Sequence, residues 1–363
     1  MLFVLDASLS NIDENNIVIN RGLETLLSAF QRQDHMLFCE MNDFRTLRNK
    51  IWNNLGLAGK SALNSLYNKL PEYKSLVDSI DYKVIVYNDN ENRGMYREEK
   101  KWHVPIKYFA DSGLIQTALL GENVDDAKLY FIFAELFIKK NKINGFLPKA
   151  RLLGGNGSGI PEALASYLRS ERSPCFCLTD SDKYHPGFSQ SVSSRRCGRI
   201  ADIDSRVVSY FCLEEREVEN IIPIPVLEKV VDTAEFMNRV EPFLRRNSDI
   251  WKYFDLKSGL SLDWIGRQDI PTKDYWSQVA DDLIRNRRAC IVCDNGQDNA
   301  DKKCTCGMIA GFGEKILSNS IQYLTDTSPR INLRLMESDS RWEKIGKLVF
   351  DFCVAPVGER VAA

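Results

Sequence analysis

The apolar run CFCLTDSD ends in two aspartates two positions apart, Asp180 and Asp182, and the earlier stretch GENVDD carries Glu122 and Asp126. Carboxylates held close together repel and raise one another's pKa unless a cation or solvent separates them. Three or four of them in one place would form the all-oxygen ligand set that a hard cation prefers. Two such cations about 4 Å apart supply what phosphodiester hydrolysis needs: an activated water, neutralised phosphoryl oxygens and a stabilised leaving oxygen. Lys183, directly after DSD, and Arg216 are the nearby candidates to donate to phosphate oxygens. The plainer readings are that DSD is a surface turn, Lys183 a solvated loop lysine and Arg216 a salt-bridge partner of its acidic neighbours.

These acids are useful only if the backbone presents them together. SGLIQTALLGEN reads as a strand ending in an acid, and DDAKLYFIFAELFIKKNK has apolar residues at helical spacing. ARLLGG reads as a second strand, GNGSGIPEALASYLRS as a Gly-rich turn opening a helix, and PCFCLTDSD as a third strand. This β-α-β-α-β order predicts a parallel sheet flanked by helices, with its chemistry at the carboxyl ends of the strands. Glu122, Asp180 and Asp182 all fall there, and the i, i+2 spacing of an extended chain puts Asp180 and Asp182 on one face. Glycines 154 to 159 either cradle a phosphate with their N–H groups or form a tight turn over the sheet edge, the turn being favoured.

GENVDD, a Gly-rich turn, DSD and then EREVEN together resemble the Toprim domain, over roughly residues 112 to 225. The spacing E-x3-D, D-x-D and R-x-x-E-N is most similar to the nucleases of the overcoming-lysogenization-defect family. Many Toprim proteins have Gly directly after the first Glu; here Gly121 precedes it and Asn123 follows. The resemblance implies that Glu122, Asp126, Asp180 and Asp182 bind magnesium or manganese, and that Glu219 helps to hold a second metal. It implies a metal-dependent nuclease acting on DNA, in bacterial antiphage defence beside an ATPase partner. Cleavage of structured RNA such as tRNA is one alternative, and a binding or regulatory module without turnover is another.

Around this core the expected layout is an N-terminal α/β domain (1–111), the Toprim-like domain (112–234) and a mainly helical C-terminal domain (235–363). In the first, MLFVLDA, HMLFCEM and YKVIVYN read as strands, and NDNENRGMYREEKK as an exposed loop. Asp6, Glu40 and Asp89 follow those strands, in a layout with a faint likeness to PIN-domain nucleases. In the last domain, Cys290, Cys293, Cys304 and Cys306 form C-x2-C-x10-C-x-C, a spacing suited to a structural zinc clip. Most other cysteines sit in apolar surroundings, while Cys197, in SRRCGR, reads as an exposed thiol.

Composition narrows the classes. The chain has 363 residues, 44% hydrophobic and 27% charged, which suits two or three soluble domains. It has no apolar stretch long enough for a membrane span, and its start lacks a secretory signal, so a cytoplasmic protein is expected. The net charge of −2 gives no whole-protein attraction to nucleic acid, so bound cations or local basic clusters must meet a polyanion. Three histidines and no G-x-S-x-G elbow argue against His-based nucleophilic catalysis. GLAGKS lacks the first glycine of a phosphate loop, so an ATP-driven step would need the partner. A homo-oligomer is compatible with all of this.

Overall fold

The computed structural model describes residues 1–111, 113–231, 236, 248–285 and 307–357. The chain is α/β, with parallel strands flanked by helices. It divides into two compact units. One comprises Met1–Leu178, Arg196–Phe211 and Glu343–Ala363; the other comprises Thr179–Arg195 and Cys212–Trp342. Among the described residues no helix is long and apolar enough to cross a membrane.

The first unit begins with β1 (Leu2–Leu5), α1 (Ile17–Gln31), β2 (Met36–Cys39), α2 (Met41–Ile51), α3 (Leu57–Ser79) and β3 (Lys83–Tyr87). β2 is buried along its whole length, which is why it reads as an unbroken apolar run. The stretch expected to be an exposed loop contains β4 (Tyr96–Glu98), which pairs antiparallel with β5 (Lys101–Pro105). β4 is short, polar and at the sheet edge, so neither hydrophobic alternation nor an apolar run announces it. The sheet order is β2-β1-β3-β5-β4.

The chain continues with β6 (Thr117–Gly121), α4 (Val124–Lys140), β7 (Phe146–Pro148), β8 (Ala150–Gly154), α5 (Ile160–Ser170), β9 (Cys175–Thr179), α6 (Val192–Ile203) and β10 (Val208–Cys212), and all of these strands except β7 form a second sheet. The order β10-β9-β6-β8 places β6 between β8 and β9, parallel to both. The expected β-α-β-α-β rhythm is therefore present. Ala118, Leu120, Ile160, Leu164, Cys177 and Cys197 share one buried cluster. Cys197 is thus a core residue and not the exposed thiol its basic neighbours suggested. On α6 it lies four residues before Ala201, also in that cluster, so the helical period turns it inward.

The chain returns to this unit through the helix Arg341–Cys353 and the strand Val354–Pro356, which pairs antiparallel with β7. Tyr82, Trp102, Phe176 and Phe352 pack ring on ring at 5.0 to 6.1 Å. Aromatic contacts of this kind add about 0.5–1.5 kcal/mol per pair beyond area burial.

One buried acid on the returning helix makes stability depend on pH. Burial pushes the Asp351 carboxyl up to about 6, although Lys347 Nζ at 2.5 Å and the Asp81 N–H at 3.2 Å both favour its charged form. The folded chain then holds this proton more tightly than the unfolded chain, whose carboxyl titrates at the ordinary 3.8. Stability therefore falls as pH rises from about 4 to about 6, by about 3 kcal/mol for this group. Asp351→Asn removes that slope. Its stability relative to the native chain should rise between about pH 4 and about pH 7 in denaturant titrations, and a gap independent of pH would refute this.

The second unit is mainly helical in its described part, with a two-stranded sheet formed by Gly259–Ser261 and Gly307–Ala310. Its helices include Ile224–Val230, Leu262–Gly266, Ile270–Arg285, Ile316–Asp326 and Pro329–Met336. Asn220 is fully buried and acts as a clamp. Its Nδ2 donates to the carbonyls of Trp251 (2.7 Å) and Phe254 (2.9 Å), and its own carbonyl accepts from Trp251 Nε1 (2.7 Å) and Arg341 (2.7 Å). Buried polar groups need such partners, and here they fix the short helix Val218–Ile221 that carries Glu219. The four clip cysteines, Cys290, Cys293, Cys304 and Cys306, lie outside the described residues.

Candidate active site

Glu122 is the first residue after β6 and is half-buried. The glycine turn holds it in place. Its carbonyl accepts from the N–H of Gly155 and of Gly157, both at 3.0 Å, and Gly155 N–H also reaches the Gly121 carbonyl at 3.0 Å. These N–H groups are thereby engaged with the main chain next to Glu122, which supports the turn and not the phosphate cradle. The turn needs its small residues: Asn156 and Gly157 adopt φ of +56° and +64°, and a Cβ on Gly154 would lie 2.7 Å from Val124 N.

Asp126 is buried in the first turn of α4, where its Oδ2 accepts the Asn123 N–H at 2.7 Å in a capping box. The E-x3-D spacing therefore has a structural use as well as a chemical one. The box satisfies donors that the helix start would otherwise leave without partners, and a negative charge there suits the helix dipole.

In the second unit, β9 ends at Thr179, and Asp180 follows it with 9% of its surface exposed. The expected one-face placement of Asp180 and Asp182 does not hold as drawn. The strand has already stopped, and Asp182 takes a left-handed φ of +54°, so the i, i+2 rule of an extended chain no longer applies. The turn is instead tied to EREVEN: Asp182 N–H donates to the Arg216 carbonyl (2.9 Å) and Ser181 Oγ to the Glu215 carbonyl (2.6 Å). Lys183 N–H points back to Ser181 Oγ at 3.4 Å.

Arg216 is buried, and its guanidinium is engaged with acids. It pairs with Asp255 at 2.8 Å and Glu217 at 3.5 Å and lies over the Tyr184 ring at 4.8 Å. Glu215, on the same stretch, is pushed above the usual carboxylate range by burial.

Lys257 is the residue the sequence did not single out. Its Nζ stands 3.1 Å from Glu217 Oε2 and 3.3 Å from Glu219 Oε1, with Glu219 only 3% exposed. Burial alone would lower its pKa, yet Glu219, Glu217 and Asp180 together hold the ammonium above its ordinary value. It follows EREVEN by more than thirty residues, in DLKSG, and nothing in that distant turn signals an acidic contact. Glu217 and Asp255 also belong to this network.

The structure thus gathers Arg216, Glu217, Glu219 and Lys257 in one network within the second unit, and sets Glu122 and Asp126 on one strand-to-helix junction in the first. Within the second unit, Glu217 and Glu219 are largely buried carboxylates turned to the Lys257 ammonium, oxygen donors of the kind a hard divalent cation takes. Among the described residues, no three His, Cys, Asp or Glu side chains are gathered closely enough to hold a metal ion. Asp6, Glu40 and Asp89 form no such group either: Glu40 pairs with Lys74 at 3.2 Å and Asp89 with Lys107 at 3.1 Å. Compared with protein-family models, with curated proteins and with solved structures, the chain matches none.

Proposed function

We propose that this protein is a divalent-metal-dependent nuclease that hydrolyses DNA phosphodiesters. The observation that carries this reading is topological. β6, which runs into Glu122, and β9, which runs into Asp180, are parallel neighbours in one sheet, so both acids follow the same edge. The carboxyl edge of a parallel sheet is where such folds keep their ligands, and the acid spacing is similar to that of Toprim nucleases.

In this proposal Glu122, Asp126, Asp180, Asp182 and Glu219 hold magnesium or manganese. The metal, when bound, polarises phosphoryl oxygens and acidifies a bound water. The glycine turn fixes the main chain at Glu122, and the Asn220 clamp fixes the helix that carries Glu219. Lys183 is the candidate phosphate donor, because Arg216 is held by Asp255 and Glu217. Lys257 balances the charge of Glu217 and Glu219. Antiphage defence beside an ATPase partner rests on the family resemblance alone.

The test is magnesium- and manganese-dependent cleavage of plasmid DNA and of bulk tRNA by the native chain, Glu122→Gln and Asp180→Asn. The expected result is plasmid cleavage that each substitution reduces at least about a hundredfold. Cleavage of tRNA alone would move the substrate to RNA. Cleavage that survives both substitutions would overturn the site, and absence of cleavage would leave the binding-module reading in its place.

A further inference from the structure

The sheet β2-β1-β3-β5-β4 reverses its chain progression between β1 and β3. From β1 the chain passes through α1 to β2 on one side, and then through α2 and α3 to β3 on the other. At such a reversal the connections diverge and leave a crevice beyond the carboxyl ends of the strands, the usual ligand position in open α/β sheets. A cavity of about 380 Å³ opens there, within the range of small-molecule sites, about 300–1,000 Å³.

Its lining has a defined chemistry. Ile85, His103 and Tyr96 are register partners across β3, β5 and β4, so they share one face of the sheet, with Tyr87 on the same face two residues beyond Ile85. The Tyr96 ring lies parallel to the His103 ring, with centroids 4.4 Å apart and planes 3° apart. Tyr87 meets Tyr96 edge-on at 6.2 Å. The result is an aromatic platform at the sheet edge.

The rim is already built. Asp89 accepts from the N–H groups of Arg93 (2.7 Å) and Gly94 (3.2 Å) and pairs with Lys107, while Tyr87 Oη donates to the Gly94 carbonyl at 2.5 Å. Asp6 accepts the Ser8 N–H at 2.9 Å, and Ser8 Oγ accepts the Asn88 N–H at 3.0 Å. These bonds hold the loops after β1 and β3 together. They also commit Asp89 to internal partners, which argues against a cation site.

The charge of the lining selects the ligand. Of the lining acids, Glu91 pairs with Arg93 at 2.8 Å and Asp89 with Lys107 at 3.1 Å, and Asp6 leaves the balance negative. A phosphate would be repelled. A flat ring with N–H donors would find an aromatic surface below it and carboxylate and carboxamide acceptors, Asp6 and Asn88 among them, around it. We propose that this crevice binds a nucleoside or free nucleobase, without its phosphate, on the Tyr96–His103 platform. The site is independent of the nuclease reading.

The test is calorimetric titration of the full chain with adenosine, guanosine, cytidine and uridine, and with each 5′-monophosphate. At least one nucleoside should bind, with its monophosphate at least about tenfold weaker. Tyr96→Ala should weaken that nucleoside at least about tenfold, and Tyr96→Phe should keep it, because stacking is what is lost. Unchanged thermal unfolding of both variants shows that the effect is local; if Tyr96→Ala unfolds, the monophosphate comparison on the native chain decides. Absence of nucleoside binding, a monophosphate that binds as tightly as its nucleoside, or a folded Tyr96→Ala that binds normally would each overturn the proposal.

Discussion

Lys257→Met should cost about 3 kcal/mol of stability, and millimolar magnesium should restore part of that loss. The reasoning starts from burial. Glu219 is almost fully buried and the Glu217 side chain largely so, and both carboxylates turn toward the one ammonium at 3.1 to 3.3 Å. Methionine keeps most of the apolar stem but removes the charge, so both acids lose the ammonium they share, while Glu217 keeps Arg216 at 3.5 Å. Breaking a buried pair from one side costs more than the pair is worth, because the remaining charge stays desolvated. If these acids also accept a divalent cation, its binding to the folded variant alone raises stability by mass action. The measurement is thermal unfolding of the native and Lys257→Met chains, with and without magnesium. A variant as stable as the native chain would show that Lys257 is not the counter-ion. Equal magnesium effects on the two chains would remove Glu219 from the cation site.

Gly155→Ala should cost about 3 kcal/mol, and Gly157→Ala, two residues on, about 1 kcal/mol. At Gly155 an added Cβ would stand 2.5 Å from Ile160 Cβ and 2.6 Å from Ile160 Cα. Ile160 is fully buried at the start of α5, and a backbone atom has nowhere to yield. Gly155 N–H also bridges the carbonyls of Gly121 and Glu122, so a shift there moves the main chain of the first candidate ligand. Gly157 has open space around its Cβ position and only its φ of +64° to defend. Denaturant titration of the two variants separates crowding from backbone strain. Equal losses would show that the turn gives way at Gly155, and the account of how Glu122 is held would fail with it.

The strands and helices that position Glu122 and Asp180 were legible because parallel strands buried on both faces leave continuous apolar runs, as TALLG and CFCLT do. The glycine turn was legible for the same kind of reason: tight turns need residues without a Cβ. Other features left no trace at that level. β4 pairs through backbone groups that its polar side chains do not report. Cys197 faces inward by helical phase, while the arginines beside it dominate any local reading. Asp182 turns left-handed where strand spacing implied an extended chain. Lys257 meets its acids only through tertiary folding, which no spacing rule reaches. Asp126 shows the opposite difficulty, since one carboxylate at one position serves a helix cap and suits a metal ligand equally well.

The aromatic packing of Tyr82, Trp102, Phe176 and Phe352 carries a consequence for synthesis. Phe352 belongs to the helix Arg341–Cys353, and the strand after it covers the edge of β7. A ribosome will therefore have made the whole intervening second unit before the first can close. Until then Tyr82, Trp102 and Phe176 lack the Phe352 ring, and β7 shows an open edge. Contacts so distant along the chain form slowly, and exposed apolar surface with unpaired strands invites aggregation in the interval. For this molecule the vulnerable period is the nascent one, when a chaperone bound to the emerging first sheet would matter most.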